Sequence, residues 1–465
     1  MKKRLLALIL AACVTLSATA CQGSQNNSSS SPATSSTESE SKTESEEESK
    51  TESKEESKED VTQEPESSEA PDNSEKESSK EESSEAPVDE KYVAGGEITQ
   101  GMKDISVLNE GNKVRLAEFL KKTQLGEDVT VGFIGGSITQ GTSAGNDLCY
   151  AKLTAKWLQS ICPQSKVEYV NAGIGATGSY IGVHRVTEDL LSKNPDLVFV
   201  EFSVNDTTEN TQRNIESYDS LLRTIWNYET KPAIITIATV QENGTSFQQY
   251  HSEIVKKYDL PMISYGDAIL SVIKKGDIAW KEISDDNIHP NVAGHDALSQ
   301  MLCSYITDVA SNLDSITGEE SDFTVKASTA GFENGKLLTP ANTEPTNSGF
   351  VLKDISFGGF KGTWIAVGSE SNPCPEDANL TFEIEAKSIG LLYGKLTSAK
   401  ASTADIYIDG ELITTVNAAF PGGWGNYVEC VHLKSFTETA KHTVKIVPKA
   451  KDGNCLFYVN ALAIS

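Results

Sequence analysis

The 465-residue sequence has little positive charge and no closely spaced cysteines, and each shortage excludes a class of protein. It carries 40 Lys and Arg against 67 Asp and Glu, a net charge of −27, which argues against a nucleic-acid partner. Its eight cysteines include no C-x-x-C pair, which excludes the usual spacing of a zinc site. No His, Asp or Glu cluster has ligand spacing either, so we expect an activity that needs no metal or other cofactor.

Long apolar runs are also scarce, and the one near the N-terminus is short. Three basic residues precede an apolar stretch at residues 5–14, which is too short to span a bilayer stably. Small residues then lead to Cys21, an arrangement that resembles the lipobox of bacterial lipoproteins. We expect residues 1–20 to be a lipoprotein signal peptide and Cys21 to carry a lipid anchor at the outer face of the bacterial cell membrane. Ordinary secretion is the alternative.

Residues 21–90 lack large apolar side chains almost completely. From residue 22 onward they hold 22 Asp and Glu against 6 Lys, among many Ser and Thr. Such a segment cannot bury enough apolar surface to offset its chain entropy, so we expect a disordered tether between the lipid anchor and the globular part.

Residues 91–315 are expected to form an α/β domain, because helix-like and strand-like segments alternate along them. The strand candidates are short and continuously apolar, as at residues 129–134 and 197–202, which is typical of parallel strands covered on both faces. Helical periodicity separates them, as at residues 150–161. Ligands of such sheets bind beyond the carboxyl ends of the strands, so the functional site is expected there.

From residue 320 to 465 short β segments replace the helical pattern, which predicts an all-β, jelly-roll-like sandwich. The clearest local signal is Asp409-Gly410 between two apolar runs, a sequence typical of a two-residue hairpin turn. Most aromatic residues of this domain are expected in its core. Trp424, within PGGWGN, is expected to be exposed, where its flat face can stack on a sugar.

Residues 131–141, VGFIGGSITQG, place Ser137 directly after an apolar strand. A serine hydroxyl is a weak nucleophile, so it needs a base, a carboxylate that orients the base, and donors for the oxyanion. The segment DDNIHPN supplies Asp286 and His289 three residues apart, so that the carboxylate can reach Nδ1 of the imidazole while Nε2 faces outward. We therefore predict a Ser137, His289 and Asp286 triad, with Asn291 capping the next helix.

Two further stretches follow predicted strands, namely NAGIGATGS at residues 171–179 and SVND at residues 203–206. Together with GGSITQG and DNIHPN, in this order and spacing, they resemble the four sequence blocks of the SGNH (GDSL-type) hydrolases. The resemblance implies a flavodoxin-like α/β/α fold and the same triad. It also implies an oxyanion hole made by the N–H of Ser137, the backbone N–H of Ala176 and the side-chain amide of Asn205, with a shift from Ala176 to Gly175 as an alternative.

The sequence departs from the family pattern next to two of these residues. Gly136 stands where the family usually has aspartate, which removes a local hydrogen-bonding group without touching the chemistry. Ser203 stands in place of a glycine before Val204 and Asn205, and we expect it to narrow the pocket.

The segment at residues 111–141 and the appended β domain look most like those of SGNH members that remove acetyl groups from plant polysaccharides such as mannan or xylan. Acetylated sugars of peptidoglycan are an alternative substrate. We therefore expect a serine esterase that deacetylates carbohydrate through an acyl-Ser137 intermediate and selects short acyl chains, because the polar Thr139 and Gln140 suit an apolar channel badly. Two alternatives are a lipase-like or lysophospholipase-type esterase and a surface carbohydrate-binding protein whose active site has lapsed. The rates at which p-nitrophenol is released from its acetyl and octanoyl esters distinguish the three.

Overall fold

The computed structural model describes residues 90–329, 331–369, 371–450 and 454–465. The expected signal peptide, Cys21 and nearly all of the acidic tether lie outside these residues. Within the described ranges no helix is both long enough and apolar enough to cross a membrane. The same ranges contain no group of three or more His, Cys, Asp or Glu side chains that could hold a metal ion.

The first domain alternates strands and helices along the chain. Its strands are β1 (Val107–Asn109), β2 (Val129–Gly135), β3 (Val167–Gly173), β4 (Leu197–Glu201), β5 (Ala233–Ala238) and β6 (Met262–Ser264). Its helices are α1 (Gln100–Ser106), α2 (Val114–Leu125), α3 (Ser137–Gln140), α4 (Tyr150–Ile161), α5 (Ser179–Asp189), α6 (Thr211–Trp226), α7 (Gln248–Lys257), α8 (Tyr265–Lys275) and α9 (Val292–Ser311).

The sheet of this domain has the order β1-β6-β5-β4-β2-β3. The strands β2 to β6 run parallel, and β1 adds an antiparallel edge beside β6. Taken in chain order, the five parallel strands are arranged 2-1-3-4-5, which is the flavodoxin-like order. The predicted fold class is therefore confirmed. The strand order reverses at β2, so the crevice beyond the carboxyl ends of β2, β3 and β4 is the switch point at which such sheets bind ligands.

Apolar side chains cover both faces of the sheet, because strand residues alternate in direction and the central strands β4 and β5 are apolar at every position but one. On one face Phe133 of β2 and Phe199 of β4 stack with ring centroids 4.6 Å apart. On the other face Val198 and Val200 of β4 join a second buried cluster. Helices close both clusters, which gives the expected three layers.

Three elements of this domain are absent from the sequence prediction. They are α1, β1 and α8. Strand β6 ends at Ser264, because Ser264 begins α8 by accepting a hydrogen bond from the N–H of Asp267. That pairing of a serine with an acidic residue three positions later is a helix-start signal that the sequence does contain.

The second domain is built from β-strands. They are β7 (Lys336–Leu338), β8 (Thr346–Ser348), β9 (Phe350–Phe357), β10 (Phe360–Gly368), β11 (Asn379–Lys395), β12 (Thr403–Ile408), β13 (Glu411–Asn417), β14 (Tyr427–Lys449) and β15 (Cys455–Ile464). Every ladder is antiparallel. The predicted hairpin joins β12 to β13, with positive φ at both Asp409 (52°) and Gly410 (83°), as a type I′ turn requires.

The segment between the domains contacts helix α6 through Ser328 and Glu333. The carboxylate of Asp219 accepts hydrogen bonds from the backbone N–H and the hydroxyl of Ser328, each at 2.7 Å. Arg223 forms an ion pair with Glu333. These contacts fix the direction in which the chain enters the second domain.

The second domain contacts the first beside the crevice. The hydroxyl of Tyr180, on α5, lies 3.1 Å from Nδ1 of His432 on β14. The turn between β9 and β10 contacts Ile174, because a Cβ added at Gly359 would lie 2.7 Å from a methyl carbon of that side chain. Ile174 belongs to the loop that follows β3, so the second domain packs against an active-site loop.

Candidate active site

Ser137 lies at the carboxyl end of β2, where the strand gives way to the single helical turn α3. Its side chain is 8% exposed. Two glycines precede it because neighbouring segments of the chain approach closely. A Cβ at Gly135 would lie 2.5 Å from the carbonyl oxygen of Glu201, and a Cβ at Gly136 would lie 2.0 Å from Oδ1 of Asn205. These glycines bring the nucleophile against β4 and the loop after it.

Ser137, His289 and Asp286 form one hydrogen-bonded chain. Oγ of Ser137 lies 2.9 Å from Nε2 of His289, and Nδ1 of His289 lies 2.7 Å from Oδ2 of Asp286. Ser137 and His289 are 152 positions apart in sequence, so only the fold brings them together. With Asp286 holding Nδ1–H, Nε2 can take the proton of the serine hydroxyl, which is what a nucleophilic serine needs.

Two residues that the sequence analysis missed, Ser284 and Trp280, stabilise the turn that carries His289. The hydroxyl of Ser284 contacts the carbonyl oxygens of Asp286 (2.9 Å) and His289 (2.6 Å). The indole N–H of Trp280 also donates to the carbonyl of Asp286, at 2.7 Å. Asn291 caps α9 by accepting from the N–H groups of the first helical turn. The turn is therefore held at both ends, and this fixes the position of the imidazole.

Asp286 is poised to remain ionised. Burial raises the pKa of its carboxyl, but hydrogen bonds from the His289 ring and from the N–H groups of His289 and Ile288 outweigh that effect and hold the pKa below its usual value. Both backbone bonds are 2.7 Å long and end on Oδ1, which leaves Oδ2 for the imidazole. The neighbouring Asp285 is exposed.

The loop after β3 presents Ala176 with a free backbone N–H. Ala176 has a left-handed φ of 58°, and its N–H has no hydrogen-bond partner among the described residues. The N–H of Gly175, by contrast, donates to Oε1 of Gln140 at 3.0 Å. A Cβ at Gly175 would lie 3.7 Å from Cβ of Ser137, so this loop borders the nucleophile. Between the two expected oxyanion donors, Ala176 is the one left available.

Asn205 reaches the nucleophile from the loop after β4. Its Oδ1 lies buried against Gly136 and lacks a partner, and its amide nitrogen makes no hydrogen bond in the described part of the chain. The next residue, Asp206, fixes this loop. Its Oδ1 accepts from the N–H of Ser179 (2.9 Å), at the start of α5, and its Oδ2 lies 2.9 Å from Nε2 of the buried His251.

Comparison with known proteins identifies the family of this arrangement. The GDSL-like Lipase/Acylhydrolase family matches residues 133–297. A two-domain esterase (CEX) active on acetylated mannans, co-crystallised with mannopentaose, is 30% identical over 78% of this chain and 97% of its own, with a TM-score of 0.70. The chain belongs to the SGNH (GDSL-type) hydrolases. A second structure of the two-domain esterase (CEX), also 30% identical, covers 78% of this chain and 98% of its own, with a TM-score of 0.71.

No curated protein matches this sequence significantly. The family and the likeness over both domains nevertheless make the chain an SGNH-type hydrolase of carboxylic esters, with the predicted β domain present at its C-terminal side.

The expectation that Ser203 narrows the pocket of this SGNH hydrolase is wrong. Ser203 is fully buried and its hydroxyl accepts from the N–H of Thr239 at 2.6 Å, at the end of β5. Thr139, whose polar side chain was expected to suit an apolar acyl channel badly, is also buried, with its hydroxyl 2.8 Å from the hydroxyl of Tyr150. Both side chains join the loops of the hydrolase to its scaffold.

Trp424 of the β domain is 72% exposed, as expected from its sequence. Its ring stacks near that of Tyr427, with centroids 5.0 Å apart, and Phe420 packs edge-on against Tyr427 at 5.4 Å. Tyr427 begins β14, and the next residue, Val428, packs against Gly358 of the turn that contacts the Ile174 loop. Because successive strand residues point to opposite faces of a sheet, the side chain of Tyr427 points away from the face on which Val428 packs.

Proposed function

We propose that this chain is an extracellular serine esterase that removes O-acetyl groups from carbohydrate, such as mannan or xylan. The observation that carries the proposal is the continuous hydrogen bonding from Ser137 through His289 to Asp286 at the switch point of the sheet. The likeness to an esterase active on acetylated mannans, over both domains, supports the substrate class.

The chemistry follows from the positions of the groups. Oγ of Ser137 attacks the acetyl carbonyl while Nε2 of His289 takes its proton, and Asp286 stabilises the imidazolium that results. The oxyanion accepts hydrogen bonds from the N–H groups of Ser137 and Ala176 and from the Asn205 amide, none of which is used within the described protein. His289 then protonates the departing sugar oxygen, which leaves acetyl-Ser137, and a water molecule activated by His289 releases acetate.

The sugar chain is proposed to extend from this crevice toward the β domain. Trp424 offers an exposed ring face, and two neighbouring aromatic rings hold that face in place. A planar apolar surface suits the C–H face of a pyranose, and large rigid rings lose little conformational entropy when they bind. Trp424→Ala should therefore raise KM for polymeric acetylated mannan while leaving kcat/KM for a small acetyl ester unchanged.

The decisive experiment compares C2, C4 and C8 p-nitrophenyl esters, and then measures acetate release from native acetylated mannan and xylan. We expect kcat/KM to fall with acyl length, and intact-mass measurement to detect an acetyl adduct that is absent from Ser137→Ala. A steady rise with chain length would instead favour the lipase-like activity. Binding of the glycans without any ester hydrolysis would favour a lapsed enzyme.

We also propose that the protein is lipid-anchored at Cys21, outside the cytoplasmic membrane. The support is the sequence alone: small residues precede the cysteine, and an acidic, polar stretch follows it. Cys21→Ala should shift the protein from the membrane fraction to the medium or leave it unprocessed. An unchanged membrane fraction would contradict the anchor.

A further inference from the structure

Gln140 is an exposed residue at the end of α3, and its side chain contacts the loop that carries Ala176. Because the Gly175 N–H can only donate, the carboxamide of Gln140 must present Oε1 to it, at 3.0 Å. The main chain of Gln140 is itself fixed, since its N–H donates to the carbonyl of Gly136 at 3.0 Å. One side chain therefore links the nucleophile's turn to the neighbouring loop.

The loop that Gln140 contacts is fixed at its two ends, and between them the hydroxyl of Thr177 donates to the carbonyl of Ile174 at 2.7 Å. At one end the N–H of Ile174 donates to the carbonyl of Gly135 at 3.1 Å. At the other end Ser179 donates to Asp206. Between these points, neither Gly175 nor Ala176 makes a backbone-to-backbone hydrogen bond in the described structure. Their only described hydrogen bond is the one to Gln140.

The conformation of Ala176 makes that single bond consequential. A left-handed φ is unfavourable for alanine, since its Cβ crowds the backbone, and the cost is comparable to what one net hydrogen bond contributes. Without Gln140, the Gly175 N–H would lose its described partner, and only the bond from the Thr177 hydroxyl to the carbonyl of Ile174 would span this part of the loop, so the strained alanine could relax. The Ala176 N–H would then leave the side of the nucleophile.

We propose that Gln140 is a positioning residue for the oxyanion hole. By occupying the Gly175 N–H it selects Ala176 as the donor and holds that donor in its strained conformation. This role rests on the proposed ester hydrolysis, but it concerns the geometry of the hole and so is open to a binding measurement as well.

The test is Gln140→Met, which keeps the length of the side chain and removes the acceptor. With p-nitrophenyl acetate we expect kcat to fall about tenfold and KM to change less than about twofold, because the donor acts mainly on the transition state. Methylboronic acid, which forms a tetrahedral adduct with the Ser137 hydroxyl, should bind more weakly by about the same factor. The melting temperature should be unchanged, because the side chain is exposed.

Gln124→Met is the matched control, because Gln124 is an exposed residue of α2 with no described contact to the site. It should match the wild type in both measurements. Equal boronate affinity in Gln140→Met and wild type would overturn the inference, as would a loss confined to KM or accompanied by a lower melting temperature. If the wild type hydrolyses no ester, the proposed function fails, and boronate affinity still decides the role of Gln140.

Discussion

Replacing Gly136 with alanine should damage catalysis without touching any group that takes part in it. The added Cβ would lie 2.0 Å from Oδ1 of Asn205 and 2.9 Å from its Cγ. Ordinary contact requires about 3.5 Å, so the amide must retreat by about 1.5 Å. A shift of that size removes a hydrogen bond to the oxyanion, and the loss of one such donor costs about 10²–10³ in kcat, or roughly 3–4 kcal/mol of transition-state stabilisation.

The assay is kcat and KM with p-nitrophenyl acetate for Gly136→Ala, Asn205→Ala and the double variant. Because both changes remove the same donor, the double variant should be little slower than Asn205→Ala alone. Circular dichroism and the melting temperature control for misfolding. If Gly136→Ala keeps kcat within about threefold of the wild type, Asn205 is not the donor, or its amide has room that the structure does not show. Additive losses in the double variant would also refute the shared cause.

Three further predictions concern the triad, the core and metals. Asp286→Asn should lower kcat by about 10³-fold or more because the imidazole loses the acceptor that orients it, whereas Asp285→Asn should change it less than about threefold; the reverse ranking would reassign the carboxylate. Burial raises the pKa of Glu201 from 4.5 to about 7, against hydrogen bonds from Thr239 and Ser203 that lower it. The folded state then holds a proton that the unfolded state releases, so the contribution of Glu201 to the free energy of unfolding should fall as pH rises from about 4.5 to about 7, by up to about 3 kcal/mol. In urea titrations Glu201→Gln should flatten that pH dependence, and an unchanged slope would contradict it. Ester hydrolysis should survive exhaustive chelation, and loss of activity that zinc restores would show a metal requirement.

The sequence specifies the fold of the first domain well because its strands are apolar and its connections are short. Apolar runs such as 129–134 predict parallel strands, and the order of those strands follows from the family resemblance. The edge strand β1 could not be predicted in this way, since it has three half-buried residues and forms only through its pairing with β6. Its pairing is a tertiary property that no local pattern records.

Residues of the candidate site could be predicted from the sequence where their residue types are chemically distinctive. Residues that act by contacting backbone groups could not. A serine directly after a predicted strand, together with an aspartate and a histidine three residues apart, suggests a triad on chemical grounds alone. Gln140 and Ser284 give no such signal, because their function depends on which backbone N–H or carbonyl they contact. The expectation for Ser203 was wrong for the same reason. The sequence shows that Ser203 is next to the Asn205 loop, but the direction of its side chain depends on a contact with the end of β5.

The contact between Gly359 and Ile174 bears on how such an enzyme can evolve. A binding module joined only by a linker can be lost or exchanged between enzymes without altering the chemistry. Here the turn between β9 and β10 packs on the loop that carries Ala176, and a side chain larger than glycine would displace Ile174. Substitutions at that turn are thus subject to selection for catalytic rate as well as for affinity. The two domains should consequently have diverged as a pair, each restricting the mutations that the other accepts.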